Sequence, residues 1–251
     1  DLLLPAMPAP AQVALLYSTS SDVWTVDETF TFGFDRMHTW MALAHAHMPV
    51  DIVAERQVER GMLDKYKVCY LTGPNLTRAA AVKLKAWAQN GGTLFLTAGA
   101  STKDEYNRPL DVLDDILPAK RGELISLQTL QASGRYLNSL QPKDKAGPAD
   151  VLGVKQPLTA KSGSETLATF ADGSAAIVRQ GNITVCGFLP ALSYIKTALD
   201  RRKAAEDAKH PLTERSYNPW DFPADVRDLI LTPTASIPRP IECSHALVDA
   251  V

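Results

Sequence analysis

The chain has 251 residues, of which 45% are apolar and 22% are charged, and this composition is typical of a globular protein. Lys and Arg number 26 against 28 for Asp and Glu, so the net charge of −2 provides no positive field to attract phosphates and argues against nucleic acid as a partner. No apolar run approaches the roughly 20 residues that cross a bilayer, so we expect no membrane partner. The 3 cysteines are too few for a disulfide framework.

The first predicted elements are a buried strand and a long helix. The continuous apolar run Gln12–Tyr17 predicts a strand that is buried on both faces of a sheet. Asp27 is a suitable N-cap for a following helix, which Pro49 ends. Apolar residues recur along this helix at steps of three and four, which predicts its buried face. They are Phe30, Phe34, Met37, Met41, Ala44 and Met48.

Strands and helices continue to alternate up to residue 97. The next elements are predicted strands over 50–54 and 66–72, a Gly73-Pro74 turn, a helix from Thr77 to Asn90 and a strand over 93–97. This alternation is typical of a parallel sheet with right-handed crossovers and helices on both faces. We therefore predict an α/β fold, a flavodoxin-like three-layer sandwich.

The second half predicts an antiparallel extension of this sheet. Residues 119–165 are polar and lack a clear period, so we interpret them as an insertion. The predicted elements that follow are strands over 166–170, 175–179 and 183–187, with an Asp172-Gly173 hairpin turn, and a helix over 192–208. Prolines crowd 209–251, which predicts a wrapping arm or linker without regular elements. The domain itself is predicted to span 12–208.

Candidate ligand-binding residues lie at the carboxyl edge of the predicted sheet, where folds of this kind bind ligands. Trp24 follows the first strand, and an exposed indole there would stack on a sugar or fill a partner's pocket. Asp104, Glu105 and Arg108 form a polar cluster after the strand over 93–97, suited to binding sugar hydroxyls or to acid–base work. The favoured interpretation of this cluster is a loop fixed by salt bridges and helix caps, and burial of Trp24 beneath a loop is equally consistent with the pattern.

Nucleophile motifs are weak. Ser101 lies among small residues after a predicted strand, but no Gly-x-Ser-x-Gly pattern surrounds it. Cys69 and Cys186 lie within predicted strands, which favours buried structural thiols over reactive ones.

The histidines do not predict a metal site. His38 and His45 are seven residues apart, and Asp35 with His38 is the only local pair at the spacing that a helix needs to hold an ion. We interpret these histidines as polar positions that border the apolar stripe of the first helix.

The order and spacing of four segments resemble the trimerisation domain of large bacterial beta-galactosidases, which is similar in fold to class I glutamine amidotransferases. The segments are Pro49–Val53, Gly61–Val68, Leu84–Ala88 and Asn90–Leu94, and looser matches follow at Phe170–Gly173 and Gly187–Pro190. The likeness covers residues 12–110 best.

The resemblance implies a domain without catalysis. The amidotransferase relatives carry a cysteine in a Gly-x-Cys-x-Gly elbow and a His-Pro-Glu triplet after a late strand. This chain has Gly99 at the elbow, and Leu189 and Ala191 in place of the His and the Glu around Pro190. These side chains neither donate nor accept protons, so we expect no catalytic residue, no metal and no cofactor.

The resemblance also implies a context. Such domains follow a catalytic barrel, help subunits associate and border a neighbouring subunit's sugar pocket, so self-association and carbohydrate at a shared site are the expected partners. Arg239–Ala250 resembles the opening of another domain, and we expect a piece of a larger glycoside hydrolase. Two alternatives stay open: a hydrolase or amidotransferase-like enzyme that uses Ser101, Asp104 and Glu105 with His45 as a remote base, and a sugar-binding module that uses Trp24, Asp104 and Arg108.

Overall fold

A computed structural model of the chain describes residues 10–25, 29–127, 142–209 and 222–240. In chain order the strands are β1 (Val13–Tyr17), β2 (Val50–Ala54), β3 (Val68–Leu71), β4 (Thr93–Leu96), β5 (Ala119–Arg121), β6 (Ile125–Ser126), β7 (Lys145–Ala146), β8 (Ala149–Asp150), β9 (Val154–Lys155), β10 (Leu158–Ala160), β11 (Glu165–Thr169), β12 (Ala175–Gln180) and β13 (Ile183–Cys186). The α-helices are α1 (Thr19–Trp24), α2 (Thr29–His45), α3 (Glu55–Glu59), α4 (Arg78–Gln89), α5 (Pro190–Asp207) and α6 (Ala224–Leu231). Short 3-10 helices cover Met62–Lys65 and Thr232–Thr234.

The parallel half of the main sheet confirms the predicted α/β fold. Its strands run in the order β2-β1-β3-β4-β13, and every neighbouring pair is parallel. Leu15 of β1 lies opposite Ile52 on one side and Tyr70 on the other. The direction of strand addition reverses next to β1, so the crevice between the carboxyl ends of β1 and β3 is where ligands bind in flavodoxin-like folds.

The predicted antiparallel extension is also confirmed. β12 pairs antiparallel with β13, and the sheet continues through β10 to β5, while β11 also pairs with β12. The Asp172-Gly173 turn joins β11 to β12, as predicted, and Gly173 has a φ of +84°. The segment interpreted as an insertion contributes the short strands β5 to β10, and residues 128–141 of it lie outside the described residues.

Helices cover both faces of the sheet, because alternate strand residues point to opposite sides. Leu15, Tyr70 and Phe95 belong to the core beneath α2, α5 and α6. Leu16, Leu71 and the opposite face of the sheet form a second core with α3 and α4. Thr77 caps α4 as predicted, since its side chain accepts a hydrogen bond from the Ala80 N–H.

The predicted buried face of α2 is confirmed only in part. Met48 is buried, and Phe34 and Met41 pack against the core, but Met37 is 50% exposed and the unpredicted Asp35, His38 and Ala42 are buried. Apolar residues occur around most of this helix, so the periodicity allowed more than one buried stripe, and packing against α5 and α6 selected the one through Ala42. The predicted cap Asp27 lies outside the described residues.

Two further helices lie in segments for which the sequence predicted no regular element. Residues 18–24, which follow the first strand, contain α1, whose N-cap Ser18 accepts a hydrogen bond from the Ser21 N–H. Within the Pro-rich segment, α6 packs its buried Val226 and Ile230 against the core, because prolines 223 and 233 flank this helix and do not interrupt it. The division into a domain over 12–208 and an arm over 209–251 stays a prediction. Within the described residues, no helix has the length and apolar character needed to cross a membrane.

Candidate functional site

The two turns that the resemblance equates with amidotransferase catalytic elements lie side by side. One follows β4 at Ala98–Ser101, and the other follows β13 at Gly187–Ala191. The Ala98 N–H donates a hydrogen bond of 3.2 Å to the Phe188 carbonyl, which joins them. We call this pair of turns the elbow site.

Hydrocarbon fills the elbow site. Gly99 has a φ of +74°, and a Cβ added to it would lie 2.9 Å from Leu124 Cδ2 and 3.7 Å from Phe32 Cε1. Leu189 and Ala191 are fully buried. Side chains of this kind can neither transfer a proton nor attack a substrate.

An amide from the insertion closes the rest of the elbow site. The Gln156 side-chain oxygen accepts a hydrogen bond of 2.9 Å from the Gly99 N–H, and the Gln156 N–H donates one of 2.7 Å to the Gly187 carbonyl. Its side-chain amide also donates to the Gly122 carbonyl at 3.1 Å. Sequence reasoning missed Gln156, since it lies in a polar stretch without periodicity and acts only through tertiary contacts.

A buried carboxylate lies beside the same turns. Asp35 of α2 is fully buried, and its Oδ1 accepts a hydrogen bond of 3.1 Å from the Ala191 N–H in the first turn of α5. Burial raises the pKa of Asp35 to about 7, although the Ala191 N–H favours the ionised form. A sequence signal for this buried group exists, because Asp35 lies on a helix with almost no other charge. The spacing had pointed to Asp35 only as a metal ligand together with His38.

The catalytic and metal alternatives find no support in these contacts. Ser101 has a φ of +50° and is buried, but among the described residues its hydroxyl has no hydrogen-bond partner. A 2.7 Å hydrogen bond joins His45 Nδ1 to the Tyr194 hydroxyl, and burial lowers the pKa of His45 to about 4. His38 Nδ1 bonds to the carbonyl of Phe34 within its own helix. The part of the chain that the structure describes holds no cluster of side chains suited to a metal ion.

His38 and His45 are also buried, which corrects the interpretation that they border the apolar stripe at polar positions. The reason is the packing of α2 against α5 and α6, which places the histidine side of the helix toward the core.

A second place at the carboxyl edge is an open cleft of about 710 Å³ that includes Trp24, and we call it the Trp24 cleft. Its other lining residues are Thr19, Ser20, Val23, Glu55, Arg56, Glu59, Thr77 and Glu105. The Trp24 side chain is 47% exposed, and its indole N–H donates a hydrogen bond of 2.8 Å to the Glu105 carbonyl. The structure thus brings two predicted ligand-binding residues together.

Glu55 closes the base of the Trp24 cleft. This buried carboxylate accepts hydrogen bonds from the Ser20 N–H at 3.0 Å, the Thr77 N–H at 3.3 Å and the Ser18 hydroxyl at 3.2 Å. These donors lie after β1 and β3, at the crevice where the strand order reverses. The chain's own carboxylate therefore occupies the place where such folds bind anions.

The remaining predicted ligand-binding residues fix a loop. Asp104 Oδ1 accepts hydrogen bonds of 2.9 Å from the N–H groups of Tyr106 and Arg108, and these bonds lower the pKa of Asp104. The Arg108 guanidinium lies over the Tyr106 ring, 5.6 Å from its centre. The Glu105 carboxylate accepts from the Arg78 N–H at the start of α4. Ligand binding by any of these residues stays a prediction.

Comparison with known families identifies the chain. Residues 11–206 match the family described as the beta-galactosidase trimerisation domain. The chain therefore belongs to that family, whose members are non-catalytic accessory domains. The comparison with curated proteins finds no match.

Solved structures with the same fold include three enzymes from bacteria. A catalytic mutant of Gan42B, a GH42 beta-galactosidase from G. stearothermophilus, has a TM-score of 0.58 and 16% identity over 81% of this chain and 31% of its own. The cold-adapted beta-galactosidase from Rahnella sp. R3 gives 0.57 and 18% over 81% of this chain and 32% of its own. The exo-beta-1,4-mannosidase Op5Man5 from Opitutaceae bacterium strain TAV5 gives 0.51 and 14% over 80% and 35%. The chain thus spans about a third of the length of each of these enzymes.

Proposed function

We propose that this domain holds together the copies of a larger carbohydrate-active enzyme and performs no chemistry of its own. The observation that carries the proposal is the elbow site, where Leu124 and Phe32 lie against Gly99, Gln156 accepts the Gly99 N–H, and no side chain at Gly99, Leu189 or Ala191 can transfer a proton. Membership of a family named for trimerisation supports the association role.

The mass of the chain in solution tests the association role. We expect sedimentation equilibrium to give three times the 27.3 kDa of one chain at micromolar concentration. A single-chain mass up to the highest soluble concentration would contradict the proposal.

A parallel assay tests the absence of chemistry. Glutamine and nitrophenyl galactoside, incubated with the chain, should release ammonia and nitrophenol at the rate of buffer alone. Turnover that disappears in Ser101→Ala would instead support the hydrolase alternative.

A second role in sugar contact is favoured by one observation. The half-exposed indole of Trp24 lines the Trp24 cleft together with the acidic residues Glu55, Glu59 and Glu105. Aromatic faces with a few convergent polar groups are a common way to bind polar ligands such as sugars. We propose that this cleft contributes to a carbohydrate site shared with a neighbouring copy.

Titration of tryptophan fluorescence with galactose tests this second role on the assembled chain. We expect a saturable change that is lost in Trp24→Ala. Leu167→Ala is the control, since Leu167 is an exposed apolar residue of β11 and does not line the cleft. A linear response in the wild type, or an equal response in Trp24→Ala, would refute a sugar site in this cleft.

A further inference from the structure

The outer side of α2 lacks the charged residues that normally cover a solvated helix. The helix has two charged side chains, Asp35 and Arg36, apart from its histidines. Asp35 is buried, and Arg36 bonds to both carboxylate oxygens of Asp22 at 3.0 and 3.1 Å, which neutralises it within the chain. The exposed positions are Met37 and Trp40, with the half-buried Met41 and Ala44 on the same side of the helix, and we call these four residues the α2 outer face.

The free edge of the sheet lies on the same side of the molecule. β2 is the first strand in the sheet order, so within the described ranges no strand pairs with its outer edge. Ile52 is 60% exposed and lies in register with Leu15, which belongs to the core beneath α2. Since in-register neighbours share a face, Ile52 projects to the α2 side of the sheet. Natural edge strands are usually protected by charges, prolines or bulges. The one charged residue of β2, Asp51, pairs with Lys65 at 3.4 Å and lies in register with Ala14, on the other face of the sheet from Ile52.

The contrast with α4 shows that this pattern is local. Val82 of α4 is 53% exposed, about as much as Met37. Its neighbours include Lys83 and Lys85, and the Lys85 ammonium pairs with Asp115 at 2.7 Å. A single exposed apolar residue in such surroundings is ordinary. The α2 outer face is different, because several apolar residues follow one another at helical spacing without a charge.

We propose that the α2 outer face and the adjoining β2 edge form the surface against which a second copy of this chain docks. This inference rests on the proposed association role and assigns it to particular residues. Methionine and tryptophan without charge are typical of the centre of a protein–protein interface, and no unpaired ion would be buried there. The chain's net charge of −2 gives its copies little mutual repulsion.

A ring of three copies makes one substitution especially informative. Interfaces in a closed trimer are heterologous, so this surface of each copy meets a different surface of the next. A charge at Met37 would therefore be buried without a partner at all three contacts. We expect Met37→Glu to raise the concentration needed for assembly at least tenfold, roughly the effect of losing one well-packed anchor.

Sedimentation of Met37→Glu, Ile52→Lys and the matched control Val82→Glu tests the assignment. The first two should shift toward the single-chain mass while far-UV and near-UV circular dichroism stay unchanged, and Val82→Glu should keep the wild-type mass. If Met37→Glu disturbs the fold, Ile52→Lys decides, because its side chain stands at an open strand edge.

Three results would overturn the assignment in distinguishable ways. Wild-type mass in both Met37→Glu and Ile52→Lys would place the contact elsewhere and leave the association role intact. A wild-type chain that is itself a monomer would contradict both the assigned surface and the association role. Dissociation by Val82→Glu with no effect of Met37→Glu would move the interface to the α4 side.

Discussion

The elbow site and the Trp24 cleft lie along the same edge of one sheet, yet they are closed by different means. At the elbow site, hydrocarbon side chains lie against Gly99 and an internal amide takes up its N–H. The Trp24 cleft is closed only at its base, by the carboxylate of Glu55, and stays open above it. A position at which a fold usually binds ligands is therefore not yet a site, because binding needs both space and donors or acceptors that the chain has not already used.

The largest effect should come from removing the carboxylate at the base of the Trp24 cleft. Glu55→Ala leaves the N–H groups of Ser20 and Thr77 and the hydroxyl of Ser18 with one acceptor fewer in a buried place. We expect the free energy of unfolding to fall by about 4 kcal/mol, measured by urea denaturation. Glu55→Gln retains an acceptor and should lose less. A loss below about 1 kcal/mol in Glu55→Ala would show that solvent replaces the carboxylate.

The carboxyl group of Asp35, beside the elbow site, should make the free energy of unfolding fall as the pH rises. Asp35 has a pKa of about 7 in the fold and 3.8 as its ordinary value, so its contribution to stability is full below pH 4 and is lost as the pH rises to 7. Asp35→Asn removes this dependence, and its oxygen can still accept from Ala191. Relative to the wild type, the variant should gain on the order of 3 kcal/mol between pH 4 and pH 8.

The buried histidines sharpen that measurement. Burial lowers the pKa of His38 and His45 from 6.5 to about 4, so their contribution is full above pH 6.5 and is lost as the pH falls toward 4. This dependence opposes that of Asp35 and should dominate once Asp35 is replaced. Urea midpoints across pH 4 to 8 that are parallel for wild type and Asp35→Asn would show that the carboxyl ionises normally.

The smallest effect should come from filling the elbow site further. Gly99→Ala adds a methyl group 2.9 Å from Leu124 at a positive φ, and we expect a loss of about 2 kcal/mol in thermal or urea unfolding. Gly173→Ala is the matched control, because its φ is +84° but nothing lies within 4 Å of the added atom. It should lose about 1 kcal/mol, through backbone strain alone. Equal losses would mean that the elbow site is looser than its contacts indicate.

The sequence predicted those features of the molecule that local patterns determine. Buried strands such as β1 and β3 are continuous apolar runs, and the Asp172-Gly173 turn and the Thr77 cap depend only on neighbouring residues. The family resemblance, and not a local pattern, predicted that Gly99, Leu189 and Ala191 stand where the amidotransferases have catalytic residues.

The rest depends on contacts between distant segments. The buried face of α2 was decided by α5 and α6, which follow it by more than a hundred residues in the chain. Glu55 and Gln156 resembled ordinary surface residues, since nothing near them in the sequence shows the N–H groups that they satisfy. Trp24 was recognised as a candidate, but its pairing with Glu105 required the fold.

Gln156 has a consequence for any attempt to give this domain a catalytic activity. Its side chain and main chain hold both turns of the elbow site at once, through Gly99 and Gly187, and it belongs to a segment outside the parallel half of the sheet. If a thiol replaced Gly99 and an imidazole replaced Leu189, the Gln156 side chain would still lie between the two turns. It is part of the chain and cannot diffuse away. An active site here would first require the removal of Gln156 from between the two turns. Substitutions at the reacting positions alone would therefore leave the domain inert.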